Sequence, residues 1–563
     1  MKHSTSWVPI LGTIKSYNRQ MAKGDLGAGF TTAVMLVPQA MAYAMLAGLD
    51  PIVGLYASVV PLLVYSLFGT SRELAVGPVA MVSLLVASSV GAIAAQGSAE
   101  YLTLAIAMAL LVGLIQTAMG VARLGFLVNL LSHPVLAGFT SAAALIIGFS
   151  QLKHLLGVAI PRSHQVHHII MGAIERLNEA NLYTVGIGFA SVIALVVLKK
   201  VKPNFPRSLV VVVVGTLLVK FFGLSDHGVA IVGAVPAGLP APSVPSVDGD
   251  MISLLLPMAI AISLVSYMES ISVAKNFARK AKYEVDPNRE LVGLGLANVA
   301  GSFFGAYPVT GGFSRTAVNA EAGSKSPVAA MITALVVALA LVFFTPLFYF
   351  LPKSVLAGII MAAVFGLIDL HEAKHLWKIN RSDFFLMIVT FVATLSLGIE
   401  LGILVGVGAS MAWVFYKLSN PHVATLGRLP GTDIYRSIAR NPDAVVLPSV
   451  LAVRIDAPLF FANALFLKST LKKLESEKDD QICAVVLDAR PVTDFDSSAL
   501  AVFKELVEDY IARDVDVYIA NTWGPIHDKL QLAGITDLLG KGHIVKEIRE
   551  ALLHLERVPC CEE

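Results

Sequence analysis

Pro308-Val309-Thr310-Gly311-Gly312-Phe313-Ser314-Arg315-Thr316 interrupts two long apolar runs with glycines, hydroxyl groups and one cation. A charged side chain near a bilayer centre costs about 2.5–3.5 kcal/mol on insertion scales, so such a residue marks a pathway or a paired site. Broken backbone at that depth also needs polar partners and persists only where it is buried in protein or lines a cavity. The stretch therefore reads as a discontinuous membrane segment around a site that a small anion visits.

The chain on either side fits that reading. Of 563 residues, 56% are hydrophobic and 15% charged, the balance of a polytopic membrane protein. Apolar runs of spanning character occur near 25–47, 52–68, 74–94, 101–121, 126–150, 182–198, 208–223, 251–274, 291–306, 327–349, 353–368, 383–397 and 399–417. With the shorter candidate at 312–321 they number about 14, several of them too short or too Gly/Pro-interrupted for plain helices. The charge balance divides the chain in two: residues 1–420 hold 26 Lys+Arg against 18 Asp+Glu (+8), and residues 421–563 hold 16 against 22 (−6). A cytoplasmic N-terminal segment (1–24), a transport domain (25–420), a linker (421–440) and a soluble domain (441–563) are expected.

Charge placement sets the orientation. With the N-terminus inside, 20 Lys/Arg fall on inner loops and ends, five fall outside (Lys153, Arg162, Arg176, Lys220, Lys353), and Arg315 is left over. This positive-inside bias puts the C-terminal domain in the cytoplasm and suits an inner cell membrane. Residues 1–24 hold no apolar signal-peptide core. The cysteines are Cys483, Cys560 and Cys561; none lies in the first 420 residues, so no disulfide framework is implied, and the terminal pair reads as an exposed reduced tail. His164, His167 and His168 sit in an outer loop without carboxylates or cysteines at ligand spacing, so no metal and no cofactor are expected.

The two halves correspond. Val76-Gly77-Pro78-Val79 introduces the third segment as Tyr307-Pro308 introduces the glycine-rich one, and a shift of 230 residues carries Pro78 onto Pro308 and Gln39 onto Glu269. Paired broken helices mark the binding site in transporters built from inverted repeats. A half-helix beginning near Ser314-Arg315 offers unpaired N–H groups and a positive dipole end, and one beginning at Val79 would converge on it. Glu269 lies deep in an apolar run, where a carboxylate can carry a proton, coordinate sodium or simply pair with Arg315. Gln39 and Tyr43, one helical turn apart, share a face and can donate to a ligand oxygen. Arg72-Glu73 reads as loop chemistry, and Gly293-Leu294-Gly295 as close helix packing.

Beyond residue 440 strands alternate with helices: strands at 450–455, 483–487 and 515–520, and helices near 463–475, 498–512, 525–533 and 545–556, a small α/β domain. Asp494-Phe495-Asp496-Ser497-Ser498-Ala499-Leu500 opens a helix there. Ser497 or Ser498 caps it, and regulatory phosphorylation of either serine is the sharper alternative.

Together these features resemble the sulfate permease (SulP) family, whose animal relatives include prestin and pendrin. The resemblance rests on Val37-Pro38-Gln39-Ala40-Met41-Ala42-Tyr43-Ala44, Gly54-Leu55-Tyr56-Ala57, Phe68-Gly69-Thr70-Ser71-Arg72, Ala75-Val76-Gly77-Pro78-Val79-Ala80 and Gly311-Gly312-Phe313-Ser314-Arg315-Thr316-Ala317-Val318-Asn319, in family order, with a C-terminal domain similar to STAS. It implies a 7+7 inverted repeat of core and gate domains, a homodimer, and no enzyme activity. It places the anion on Gln39, Tyr43, Val79, Ser314 and Arg315, with Glu269 as the coupling carboxylate. The motif wording suggests sulfate with proton symport. Bicarbonate, C4-dicarboxylates, sodium coupling, and a channel or exchanger on the same fold stay open. Val79 stands where some animal members carry an aromatic. Ala499 replaces the glycine usual after the serines of related regulators, which weakens the phosphorylation reading.

Overall fold

The computed structural model describes residues 8–126, 132–160, 166–201, 207–365, 368, 370–478 and 480–555, so His164, Cys560 and Cys561 lie outside the described residues. The chain folds as two compact units, Met1–Ser410 and Met411–Glu563.

The first unit opens with α1 (Ile10–Lys15) and α2 (Arg19–Leu46), which Asn18 caps by accepting from the Met21 N–H and which carries Pro38 in its interior. The second segment is split into α3 (Pro51–Tyr56) and α4 (Val60–Phe68), each with proline in its first turn, where a missing N–H costs nothing. Strand β1 (Val76–Gly77) leads into α5 (Ala80–Gly91); then come α6 (Ala99–Val121), α7 (His133–Ser150), α8 (Leu152–Leu156), α9 (Val166–Glu175), α10 (Leu182–Val201) and α11 (Arg207–Phe222). The second half runs α12 (Gly249–Lys280), α13 (Pro287–Ser302), β2 (Thr310–Gly311), α14 (Phe313–Glu321), α15 (Val328–Phe343), α16 (Lys353–Val364), α17 (Leu370–Ile379), α18 (Arg381–Leu397) and α19 (Ile399–Ser419). Each expected apolar run contains a helix.

Seven helical stretches among the described residues have the length and apolarity of a full span. Ala80–Gly91 is a shorter apolar helix of 12 residues. At 1.5 Å per residue it covers only about 18 Å of a hydrocarbon core about 30 Å thick. The rest of that crossing is extended backbone, and it is satisfied by pairing across the halves: β1 and β2 are antiparallel, Val76 opposite Gly311 and Gly77 opposite Thr310. The half-to-half offset differs slightly from the expected 230, being 234 between strand starts (76 and 310) and 233 between helix starts (80 and 313). In this alignment Pro78-Val79 stands opposite Gly311-Gly312 rather than Pro308.

Helix α13 packs on α6 and α4, and α15 packs on α2; α18 lies on α7, and α10 on α16. The expected glycine packing is present: a Cβ on Gly295 would sit 2.3 Å from Thr117 Oγ1 and 2.7 Å from the Gly113 carbonyl oxygen, so α13 reaches α6 only with glycine there. Two buried acids hold the loops between helices. Glu290 accepts from Tyr65 Oη (2.7 Å), from the Thr70 N–H and hydroxyl (2.5 and 2.6 Å) and from the Ser71 N–H (3.0 Å). Asp25 accepts from the Lys325 and Ser326 N–H groups and the Ser326 hydroxyl. Each is fully buried, and its charge is spread over several donors instead of one cation.

The second unit carries a six-stranded sheet in the order β4-β3-β5-β6-β7-β8. Its strands are β3 (Val423–Arg428), β4 (Tyr435–Ser437), β5 (Val450–Ile455), β6 (Ala484–Asp488), β7 (Asp516–Ala520) and β8 (Ile544–Val545). Strands β5 to β8 are parallel, and β3 is antiparallel to both β4 and β5. Helices α20 (Ala464–Ser476), α21 (Ser497–Ile511), α22 (Gly524–Leu532), α23 (Ile535–Leu539) and α24 (Ile548–Leu555) complete the unit. The segment 421–440 is not a linker: it supplies two strands of the sheet. Val423–Arg428 is short, with only Ala424, Leu426 and Gly427 buried, so its apolar alternation is too weak to stand out in the sequence.

Candidate functional site

Helix α5 begins after Val79, whose carbonyl accepts from the Ser83 N–H (3.0 Å), and α14 begins after Gly312, whose carbonyl accepts from the Thr316 N–H (3.0 Å). The two N-cap residues touch. A Cβ built on Gly312 would lie 3.2 Å from Val79 Cγ1 and 3.0 Å from Arg315 Nη2. A side chain at 312 would crowd the guanidinium and the opposite cap together, so glycine leaves both undisturbed. Two helix N-termini, each with unpaired N–H groups and a positive dipole end, thus meet beside one arginine.

Arg315 is 1% exposed. Its Nη1 donates to the Pro78 carbonyl of the opposite half, while Nε and Nη2 have no hydrogen-bond partner among the described residues. Gln39 (4% exposed) and Tyr43 line α2, and Gln39 Oε1 is likewise buried without a partner. Glu269, on α12, is half-buried, with its Oε2 buried and unpartnered. Tyr43, Glu269 and Arg315 lie within electrostatic reach of one another, but the arginine and the carboxylate are not joined by an ion pair. Unmet donors and acceptors of this kind are rare inside proteins and cost about 1–3 kcal/mol each, so they point to a ligand. The structure therefore brings together Tyr43, Val79, Arg315 and Glu269, with the buried Gln39 one helical turn from Tyr43 on α2. Ser314 stands apart, exposed on the first turn of α14.

The sequence reading missed the polar scaffold behind this site. Asn298 on α13 holds Val309 at both ends: its Oδ1 accepts from the Val309 N–H (2.8 Å) and its Nδ2 donates to the Val309 carbonyl (3.1 Å). The same Nδ2 reaches Gln116 Oε1 (3.2 Å), and Gln116 Nε2 donates to Ser266 Oγ (2.7 Å) on α12. Thr310 Oγ1 donates to the Ser266 carbonyl, and Ser270 Oγ accepts from the Gly311 N–H (2.7 Å). These side chains stand in for the helix hydrogen bonds that the break removes. They tie the approach to α14 to the very helix that bears Glu269. Tyr307 adds a bridge between halves, its hydroxyl 2.9 Å from Ser83 Oγ on α5. Polar residues inside apolar runs are the signal that would have found them. Arg72-Glu73 is also more than loop chemistry. The Glu73 carboxylate is buried and accepts from Tyr283 Oη, the Tyr283 oxygen takes the Arg72 N–H (2.9 Å), and the Arg72 guanidinium lies 4.6 Å from that ring centroid.

In the second unit Asp496, not Ser497 or Ser498, caps α21. Its Oδ1 accepts from the Ala499 N–H (2.7 Å) and its Oδ2 from the Phe461 N–H (2.8 Å). A carboxylate offers a separate oxygen to each donor, where a serine has a single one. Both serines are left exposed on the first turn.

Comparison with known proteins follows the same division. Residues 22–390 match the sulfate permease family, and residues 441–551 match the STAS domain. The chain belongs to the sulfate permease family. It is 42% identical over 562 residues to sulfate transporter 4.1, chloroplastic, of Arabidopsis thaliana, covering 97% of this chain and 82% of that one. It is 36% identical over 579 residues to low affinity sulfate transporter 3 of Stylosanthes hamata, covering 97% and 90%. The murine solute carrier 26 family member A9 anion transporter, solved in the inward-facing state, superposes with a TM-score of 0.91 at 25% identity, over 99% of this chain and 96% of that one. The transmembrane domain of the cyanobacterial bicarbonate transporter BicA shares the fold, with a TM-score of 0.61 at 24% identity over 70% of this chain and 98% of its own. This member of the family is thus a helical membrane anion transporter with a C-terminal STAS domain.

Proposed function

We propose that this transporter carries sulfate together with a proton by alternating access, binding the anion at Arg315 between the caps of α5 and α14. The observation that carries the reading is the buried guanidinium, with Nε and Nη2 unpartnered, beside an unpartnered carboxylate. Sulfate presents several acceptor oxygens, enough to take Nε, Nη2 and N–H groups of both helix starts at once. Gln39 and Tyr43 supply further polar contacts from α2, and Ser314 joins when the exposed first turn of α14 closes on the ligand. The coupling is electrostatic. Arg315 opposes protonation of Glu269; an anion that offsets the guanidinium charge relieves that opposition, so each ligand favours the other. The names of the plant relatives support sulfate. The positive-inside count supports a cytoplasmic N-terminus and STAS domain, and the family resemblance supports a homodimer.

Labelled-sulfate uptake into proteoliposomes tests the proposal. An inward proton gradient is expected to drive accumulation in the unmodified protein. Glu269→Gln should lose that drive yet keep sulfate counterflow, whereas Arg315→Ala should weaken sulfate binding by more than about tenfold in calorimetry while remaining folded. Conductance independent of the gradient in both the unmodified protein and Glu269→Gln would favour a channel, and sodium-driven uptake would reassign the coupling ion.

A further inference from the structure

Helix α17 lies between the apolar helices α16 and α18 and has two unlike faces. Lys374 and His375 lie three and four residues after His371, and four and three before Lys378, so the four side chains share one face, and all are exposed. Alongside runs a second row, Leu370, Ala373 and Trp377, in which Leu370 is 70% and Trp377 47% exposed. Only Leu376 is buried against the protein, and Glu372 Oε1 reaches His133 Nδ1 (3.3 Å) at the foot of α7. The exposed apolar surface does not stop at Trp377. It passes edge-on to Phe384 (ring centroids 5.0 Å apart) and continues down α18 through the exposed Phe385, Val389 and Val392, spaced as one helix face. Arg381 sits at the junction, its guanidinium 5.3 Å from the Trp377 ring centroid.

An apolar stripe on a spanning helix is covered by acyl chains, so the point where it gives way to tryptophan and a row of cations is the headgroup level. We propose that α17 is an interfacial helix that binds anionic phospholipid headgroups of the host membrane. Lys374, Lys378 and Arg381 take the phosphates, His371 and His375 add hydrogen bonds, and Leu370 and Trp377 enter the acyl boundary. Charge complementarity and continuity with the lipid-facing stripe of α18 select lipid over a soluble anion or a protein. Through Glu372–His133 and the packing of α18 on α7, this anchorage holds the foot of two spanning helices.

The test uses the full chain with Trp7, Trp413 and Trp523 replaced by phenylalanine, leaving Trp377 as the only indole, in phosphatidylcholine nanodiscs. A minor fraction of brominated phosphatidylglycerol is expected to quench Trp377 about twofold more than the same fraction of brominated phosphatidylcholine, and Lys374→Gln/Lys378→Gln should bring that ratio to near one. Raising the salt should lower the ratio in the protein with both lysines intact, a control that does not depend on the variant folding. Equal quenching by the two lipids, or a preference that survives both the substitutions and high salt, overturns the proposal. So does loss of the preference on adding millimolar soluble glycerophosphate at constant ionic strength, which would mark a free-anion site. Both leaflets of the disc have one composition and no transport is measured, so neither the orientation nor the sulfate assignment enters the outcome.

Discussion

Among the described residues Arg315 is held by one bond, to the Pro78 carbonyl, and leaves two nitrogens free. That division explains why it can be both a brace between the halves and a ligand for an anion. The approach to it depends on Asn298, which satisfies the Val309 N–H and carbonyl at once. Asn298→Ala strands two buried backbone groups, at a cost of about 2 kcal/mol. The expected result is a lower thermal midpoint in detergent and a sulfate Kd raised by about tenfold, since α14 loses its fixed start. Gly312→Ala separates binding from stability: its Cβ would meet Arg315 Nη2 at 3.0 Å, so calorimetry should show weakened sulfate binding with little change in the midpoint.

Elements here are positioned by buried charge as much as by apolar packing. Glu290, at the start of α13, gathers four donors, one from Tyr65 on α4 and three from Thr70 and Ser71 in the α4–β1 connection. Glu290→Ala leaves them buried without an acceptor, a loss of about 3 kcal/mol or more, to be read as a lowered midpoint with aggregation on heating. In the STAS unit the start of β3 is tied to the end of β5, where Asp456 accepts from Arg454 Nε (2.6 Å) and Nη2 (3.1 Å) and lies 2.9 Å from His422 Nδ1. The hydrogen bonds from Arg454, aided by His422, hold the Asp456 carboxyl below its ordinary value. A depressed carboxyl contributes stability that is present above its unfolded value and lost as pH falls through the lower folded one. Asp456→Asn should therefore be less stable than the unmodified protein at neutral pH. The gap should close as the pH drops below about 4, followed by the unfolding midpoint across a pH series.

For the whole molecule, the sheet boundary decides where the chain can be cut. Ending it after Arg440 would keep β3 and β4 but remove β5, exposing the edge of β3 that β5 had covered. Ending it after Asn420 removes the sheet entirely. Gel filtration is expected to show a single peak for the shorter product and aggregation for the longer one, a reversal of what a linker at 421–440 would allow. The exposed Ser497 and Ser498 are open to a kinase, but Asp494 and Asp496 flank them. A phosphate there gains from the start of α21 and loses to the neighbouring carboxylates, so we expect little change in transport from Ser498→Glu in the uptake assay.

Hydropathy, charge placement and the glycine-rich break carry their information locally, which is why the spans, the separate α/β domain and the broken segments could be read from the residues in order, and why Arg315 and Glu269 stood out as candidates. Strands 423–428 and 435–437 could not, because their apolar alternation is brief and they are held by pairing, β3 with β5 and β4 with β3. Nor could Asn298, Gln116, Tyr307 and Glu73, each an ordinary polar residue until a partner hundreds of positions away, or across a helix crossing, gives it a role. Residue order alone was enough to show two broken helices with a cation beside one of them, the basis for the proposed anion site. The tertiary structure decided how that break is held open, because buried polar groups must be satisfied and only the folded chain brings their partners within reach.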